Sequence, residues 1–384
     1  MHFLNDGIRT TFPAILPFIA KEFSFSLVSV GFLGSAQPLF AAILALPAGF
    51  LASKLGGFHF LVFLLLIYSA GALLTIFAFN LPITILAFSI AALGFGMFHT
   101  VAFSLVAKIS GKNNIGKNMG NFSSIGDIGR VTIPPIVVFL VAIAGWRISM
   151  AAITLVGLFA FLLLRLNQPK KEEYHLEEMA SKNETHQEFI THTLILLRTK
   201  RLFLTLLAAT ADTLASSPIF LFLPFILFAK GVSVANYGIS TAAFFGGSLA
   251  GRFLLGRAVD KFGNLKVFII SEILMAVCLV LLVASSNFPV ILLLALLLGA
   301  FTRGTTPAIQ AMLSEVSKKA HYHKIYALSE TVIGIVAVAT VILMGVVADR
   351  IGIEFVFYTA AVFALLAIIP VLFISRSKVV KLDS

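Results

Sequence analysis

Charge is scarce in this chain: only 12% of its 384 residues are Asp, Glu, Lys or Arg, while 59% are apolar. A soluble domain carries about 25% charged residues, so a water-facing globular fold is excluded. The mean hydropathy of +1.03 points instead to a protein of the lipid bilayer. Cysteine is almost missing as well. Cys278 stands alone in an apolar run, which excludes an internal disulfide framework and a thiolate metal site. No histidines stand at metal-ligand spacing along the chain. There is no phosphate-binding glycine loop, and no nucleophile has a base at a recognisable spacing. No enzyme activity, cofactor or bound metal is therefore expected. Acidic residues are the scarcer charge, 17 against 28 basic, and the resulting +11 would suggest a nucleic-acid partner in a soluble protein. Here the cations sit between apolar runs, where they set membrane orientation, and no nucleic-acid partner is expected.

Those apolar runs are what the chain has in quantity. Twelve lie near 2–20, 28–52, 59–79, 82–107, 119–144, 147–164, 202–228, 235–256, 267–284, 288–313, 325–348 and 355–374. At roughly 1.5 Å per residue, a helix of this length crosses a hydrocarbon core of roughly 30 Å. The expected fold is all-α and integral to the membrane: twelve transmembrane helices in two pseudo-symmetric six-helix bundles. One set of loops is rich in cations, among them Lys54, Lys108, Lys112, Lys117, Arg257, Lys261, Lys266, Lys318, Lys319 and Lys324. The alternate set holds only Lys21, Arg147, Lys230 and Arg350, so both termini are expected in the cytoplasm. The boundaries that follow are an N-terminal bundle over 1–164, a cytoplasmic linker over 165–201, and a C-terminal bundle with a short tail over 202–384.

The two halves share a plan. Pro17, Gly31, Gly49 and Gly56 recur as Pro224, Gly238, Gly256 and Gly263, each displaced by 207 positions. A fixed offset in a membrane chain is the mark of parallel repeats, a transporter architecture. The glycines at 256 and 263 bracket a short charged stretch with Arg257, Asp260 and Lys261, fit for a tight turn between two helices. Its earlier copy has Gly49, Ser53, Lys54 and Gly56, with serine where the later copy has aspartate.

Ionisable residues inside the runs are expensive and mark function or internal pairing. In the first run His2, Asn5, Asp6 and Arg9 lie in the opening turns. They are either an interfacial helix end or residues deeper in the membrane, in a chain whose true start lies upstream of Met1. In the fifth run Asp127, Arg130 and Pro134 share one helical face with Ser123. Asp127 and Arg130 either neutralise each other or form a substrate or proton site. His99, in the fourth run, is a site candidate or a buried neutral imidazole bonded to a backbone carbonyl. Asp212, in the seventh, has no cation nearby in sequence and is a candidate proton-exchanging carboxylate. Arg303, flanked by Gly299 and Gly304 in the tenth, needs a carboxylate or an anionic substrate. Glu330 completes the candidates, while Glu272 is expected to snorkel to the cytoplasmic surface.

Gly256 to Lys266 resembles the G-x-x-x-D-[RK]-x-G-[RK] loop of the major facilitator superfamily, and Gly49 to Gly57 its degenerate partner. His2-Phe3-Leu4-Asn5-Asp6, Gly94-Phe95-Gly96-Met97-Phe98-His99 and Gly126-Asp127-Ile128-Gly129 are similar to fosmidomycin-resistance-type members. Ser53, Thr100 and Ile133 depart from those patterns. The resemblance implies a central cavity, alternating access by rocking, and a cytoplasmic gate at the charged loops. The expected function is secondary transport of a small organic solute, anionic or zwitterionic because Arg130 and Arg303 leave a net positive cavity, by proton-coupled efflux. The alternatives are a proton-coupled importer of an organic acid or metal chelate and, more remotely, a non-transporting receptor or assembly subunit. Expected partners are the solute, protons and lipid, for a monomer in a bacterial inner membrane.

Overall fold

The computed structural model describes residues 1–55, 57–109, 115–167, 199–315 and 322–375, and the expected linker falls almost entirely outside them. Among the described residues every regular element is a helix. In chain order these are α1 (His2–Glu22), α2 (Leu27–Leu55), α3 (Gly57–Ile76) and α4 (Leu81–Ile109), followed by the long stretch Ile115–Leu166. That stretch breaks at Gly145, whose φ of +81° is a left-handed conformation open to glycine at little cost. It therefore forms two elements, α5 (115–144) and α6 (146–166). Nothing lies within 4 Å of a Cβ built at Gly145, so backbone conformation rather than space requires glycine there. Then come α7 (Lys200–Ala229), α8 (Val234–Phe262), α9 (Asn264–Ala284), α10 (Phe288–Ser314), α11 (Tyr322–Arg350) and α12 (Ile353–Ser375).

Among the described residues, nine stretches are long and apolar enough to cross a membrane, one of them the 46-residue Asn121–Leu166 that carries the Gly145 break. Their outward faces stay apolar: Leu155 and Phe159 on α6, Ile270 on α9 and Val362 on α12 are all exposed, as a lipid-facing surface requires. α1 and α8 fall outside the nine. In α1 the cause is the cluster of Asn5, Asp6 and Arg9; in α8 it is a high content of Gly, Ser and Thr.

The described helices group into two compact units. One holds α1 to α6 with Gly231–Ala242, the opening of α8; the other holds α7, the remainder of α8, and α9 to α12. In the first, the Tyr237 hydroxyl donates to the Ala14 carbonyl at 3.1 Å. The end of α1 is clamped to the start of α6, because Glu22 accepts from the Trp146 indole and the Arg147 guanidinium, both at 2.6 Å. In the second unit α8 and α10 meet backbone to backbone. A Cβ at Gly247 would lie 1.8 Å from the Leu296 carbonyl, and one at Gly299 equally close to that of Phe244. Small residues let membrane helices approach this closely, and dispersion contacts then hold them.

Candidate functional site

The first unit buries a charged cluster where α1, α4 and α5 converge. Glycine makes the approach of α5 to α1 possible: a Cβ at Gly129 would fall 2.0 Å from the Phe3 carbonyl oxygen, and one at Gly126 would fall 2.6 Å from Asp6 Oδ2. At the centre is Asp6, 1% exposed. Its Oδ2 receives Arg130 at 2.6 Å and faces His2 Nε2 at 3.2 Å. Its Oδ1 faces His99 Nε2 at 3.1 Å and accepts from the Asn5 amide at 3.0 Å. Arg130 reaches back along α5 with its other nitrogen to Asp127 Oδ1 at 2.7 Å. One guanidinium thus serves two carboxylates from two helices, the planar fork geometry that arginine supplies.

Sequence reasoning anticipates four members of this cluster, Asp6, His99, Asp127 and Arg130, and the structure brings all four together. The opening of α1 itself is buried by contacts from α4 and α5 at His2, Asn5 and Asp6. Two readings need correction. His99 turns its Nε2 to Asp6 and to His2 Nε2, the latter at 3.2 Å, rather than to a backbone carbonyl. Asp127 and Arg130 are not a closed pair, because Asp6 shares the guanidinium. Arg9 bonds elsewhere but lies within electrostatic reach of Asp6 and His99: its Nε donates to Gln37 Oε1 at 3.1 Å, and the Gln37 amide returns a bond to the Arg9 carbonyl at 3.0 Å. His2, named in the sequence only among the polar residues that open the first run, joins the cluster, and Phe122 was not singled out. The His2 ring stacks on Phe122 with centroids 4.1 Å apart, and its Nδ1 lies 2.6 Å from the Phe122 carbonyl. Only the position of His2 one turn before Asp6 hints at this in the sequence.

The second unit has its own buried acidic pair. Asp212 on α7 faces the Glu272 carboxyl, the Thr305 hydroxyl and, through space, the Arg303 guanidinium. Glu272 overturns its expectation: it is 0% exposed and does not snorkel, because α9 turns it inward to Asp212. Among the described residues, neither Glu272 oxygen meets a hydrogen-bond donor, nor does Asp212 Oδ1. Arg303 has Asp212 within electrostatic reach, so it is not the isolated cation its sequence context suggests. The side chain of Glu330 lies outside the described residues.

The later charged loop forms the end of α8, where Gly263 takes a φ of +88° and starts α9. Arg257 lies 3.9 Å above the Phe253 ring, Lys261 is 5.2 Å from the Phe262 ring, and Asp260 is exposed. Among the described residues a Cβ built at Gly256 would meet only Pro307, at 4.0 Å. Of the earlier copy, Gly56 and the side chains at Gly49, Ser53 and Lys54 lie outside the described residues.

Comparison with known proteins agrees with this architecture. The family model of the Major Facilitator Superfamily matches residues 1–226 and 202–383. A probable sugar efflux transporter of Haemophilus influenzae (strain PittGG) is 24% identical over 276 residues, 71% of this chain and 66% of that protein. The minor myo-inositol transporter IolF of Bacillus subtilis is 27% identical over 198 residues, 48% of this chain and 45% of that protein. The match therefore spans less than two thirds of the length of either relative. Among solved structures, a mutant of the nucleoside transporter NupG superposes with a TM-score of 0.81 at 11% identity, covering 97% of both chains. A bacterial homolog of the human lysosomal transporter Spinster, in an inward-facing and occupied conformation, gives 0.78 at 14% identity, covering 98% of this chain and 94% of that one.

Proposed function

This chain belongs to the Major Facilitator Superfamily, and we propose that it is a proton-coupled secondary transporter that exports a small organic solute by alternating access. The observation that carries the coupling is the Asp212–Glu272 pair. Two facing carboxyls in a buried setting cannot both be ionised without a donor between them. A single shared proton supplies that donor, and its loss and recapture from opposite sides of the membrane is the chemistry of a proton antiporter. Arg303 and Thr305 stand beside the pair, where solute arrival can change the balance between the two protonation states.

Outward transport is supported by the name of the Haemophilus relative and by the stretches similar to fosmidomycin-resistance-type members, which supply His2, Asp6, His99 and Asp127 to the first cluster. In this reading both termini are cytoplasmic, the membrane is a bacterial inner membrane, and the protein works as a monomer.

Charge balance bears on the solute. In the first unit Arg9 and Arg130 stand against Asp6 and Asp127; in the second, Arg303 stands against a carboxyl pair holding one proton. On this count the net positive field behind the anionic or zwitterionic expectation is reduced. A neutral polyhydroxylated solute fits better, in line with the sugar and inositol in the relatives' names, and the anion becomes the second reading. The test is accumulation in everted membrane vesicles with an acid interior, using glucose, gluconate, glucosamine and myo-inositol as matched probes. Gradient-driven uptake of a neutral probe supports the proposal. Preference for gluconate that disappears in Arg303→Gln restores the anionic reading, and uptake only under the opposite gradient makes the protein an importer.

A further inference from the structure

We propose that His2, Asp6 and His99 form a binding site for a divalent transition-metal cation of the zinc type. Three ligand-capable groups from two helices converge there. His2 Nε2 is 3.2 Å from His99 Nε2 and 3.2 Å from Asp6 Oδ2, and His99 Nε2 is 3.1 Å from Asp6 Oδ1. A tetrahedral ion held at about 2.0–2.1 Å by nitrogen and oxygen ligands separates those ligands by about 3.3 Å. Each separation is close to that value, with His2 facing Oδ2 of Asp6 and His99 facing Oδ1, so that both carboxylate oxygens border the ion's position.

The hydrogen-bond roles favour a cation over a plain polar network. The Phe122 carbonyl can only accept, so His2 Nδ1, 2.6 Å away, carries the ring proton of the neutral imidazole. That leaves the lone pair of His2 Nε2 facing a carboxylate oxygen and a second imidazole, and of these only His99, with its proton on Nε2, can donate, to one of the two at a time. A metal ion satisfies all three at once. A ligating histidine typically donates its other N–H to a backbone carbonyl or a carboxylate, and the carbonyl of Phe122 fills that role. Asn5 and Arg130 bond the two Asp6 oxygens and hold the carboxylate in place as outer partners do. The charge of Arg130 does not repel the ion unopposed, since Asp127 takes its other arm. Two imidazoles and a carboxylate suit zinc, cobalt or nickel better than magnesium or calcium. The fourth position falls to water, because the His99 side chain is 25% exposed while His2 and Asp6 are enclosed.

The site is invisible to spacing rules, because its histidines are 97 residues apart and only the packing of α1 on α4 joins them. The experiment uses tag-free, full-length protein in detergent micelles, titrated with Co2+ and then Zn2+. About one equivalent of Co2+ with the visible bands of tetrahedral coordination is expected, displaced by Zn2+ and accompanied by a higher unfolding temperature. His99→Asn is expected to weaken binding by at least the roughly 10–100-fold that follows loss of even an outer partner. Cys278→Ser and His59→Asn are expected to leave it unchanged. Folded wild type that shows no tetrahedral Co2+ spectrum, or unchanged affinity in His99→Asn, would overturn the site and leave a plain hydrogen-bonded network around Asp6. Since the wild-type spectrum decides by itself, a variant that fails to fold does not blunt the test.

Discussion

The carboxyl of Glu272 on α9 faces the carboxyl of Asp212 on α7, and neither oxygen of Glu272 meets a hydrogen-bond donor among the described residues. Residues this costly to bury unpaired are kept in a membrane helix for charge movement or for a partner. In the proposed reading the juxtaposition serves both ends, one proton being shared by two carboxyls.

Neutralising either member is expected to uncouple transport. In Asp212→Asn the pair can no longer exchange its proton, so pH-driven accumulation in vesicles is lost, while protein yield in the membrane and exchange of solute at equal pH persist. Glu272→Gln is expected to behave alike, and the double variant to be no worse than either single one, as for residues that act as a unit. Losses that multiply would mean that the two carboxyls act separately.

Arg130 is expected to be the main stabiliser of the first unit. Its removal in Arg130→Gln leaves Asp6 and Asp127 buried without their shared cation, and breaking a buried pair from one side costs about 3–5 kcal/mol. The unfolding temperature in detergent should fall sharply. Combining Arg130→Gln with Asp127→Asn should recover part of the loss, whereas simple addition of the two effects would contradict the bridging role.

The seam of α8 and α10 makes a steric expectation. Gly299→Val places its side chain against the Phe244 carbonyl, which is backbone and cannot give way. A loss of at least about 1–3 kcal/mol is expected, read as lower thermal stability. Gly246→Ala on α8, where nothing lies within 4 Å, serves as the control and should be silent.

Asp260 tests the gate implied by the charged loop. It is exposed in the last turn of α8 and has no ion pair among the described residues. Asp260→Asn is expected to cut transport and to raise labelling of a cysteine introduced on the cytoplasmic side. Wild-type flux and labelling would show that the aspartate only caps the turn.

Much of this arrangement was legible beforehand for physical reasons. Apolar runs must be helices in lipid, since every backbone group has to be bonded internally, and the turn at Gly263 is marked by glycine and charge together. Asp127 and Arg130 are three residues apart on one helix, so their bond could be read from spacing. What spacing could not supply is contact between helices distant in sequence. Asp6 joins Arg130 across 124 positions because Gly126 and Gly129 let α5 lie against α1. Glu272 was misjudged from its distance to the helix end, which says nothing about which way α9 faces.

The most direct test of proton coupling is internal pH in acid-interior proteoliposomes loaded with a fluorescent indicator, recorded as glucose, myo-inositol, gluconate or glucosamine is added outside. Wild type is expected to show alkalinisation of the interior with a neutral probe, as each solute entering drives protons out, and Asp212→Asn is expected to show none. Solute entry without any pH change in wild type, or an undiminished pH change in Asp212→Asn, would contradict coupling through the Asp212–Glu272 pair.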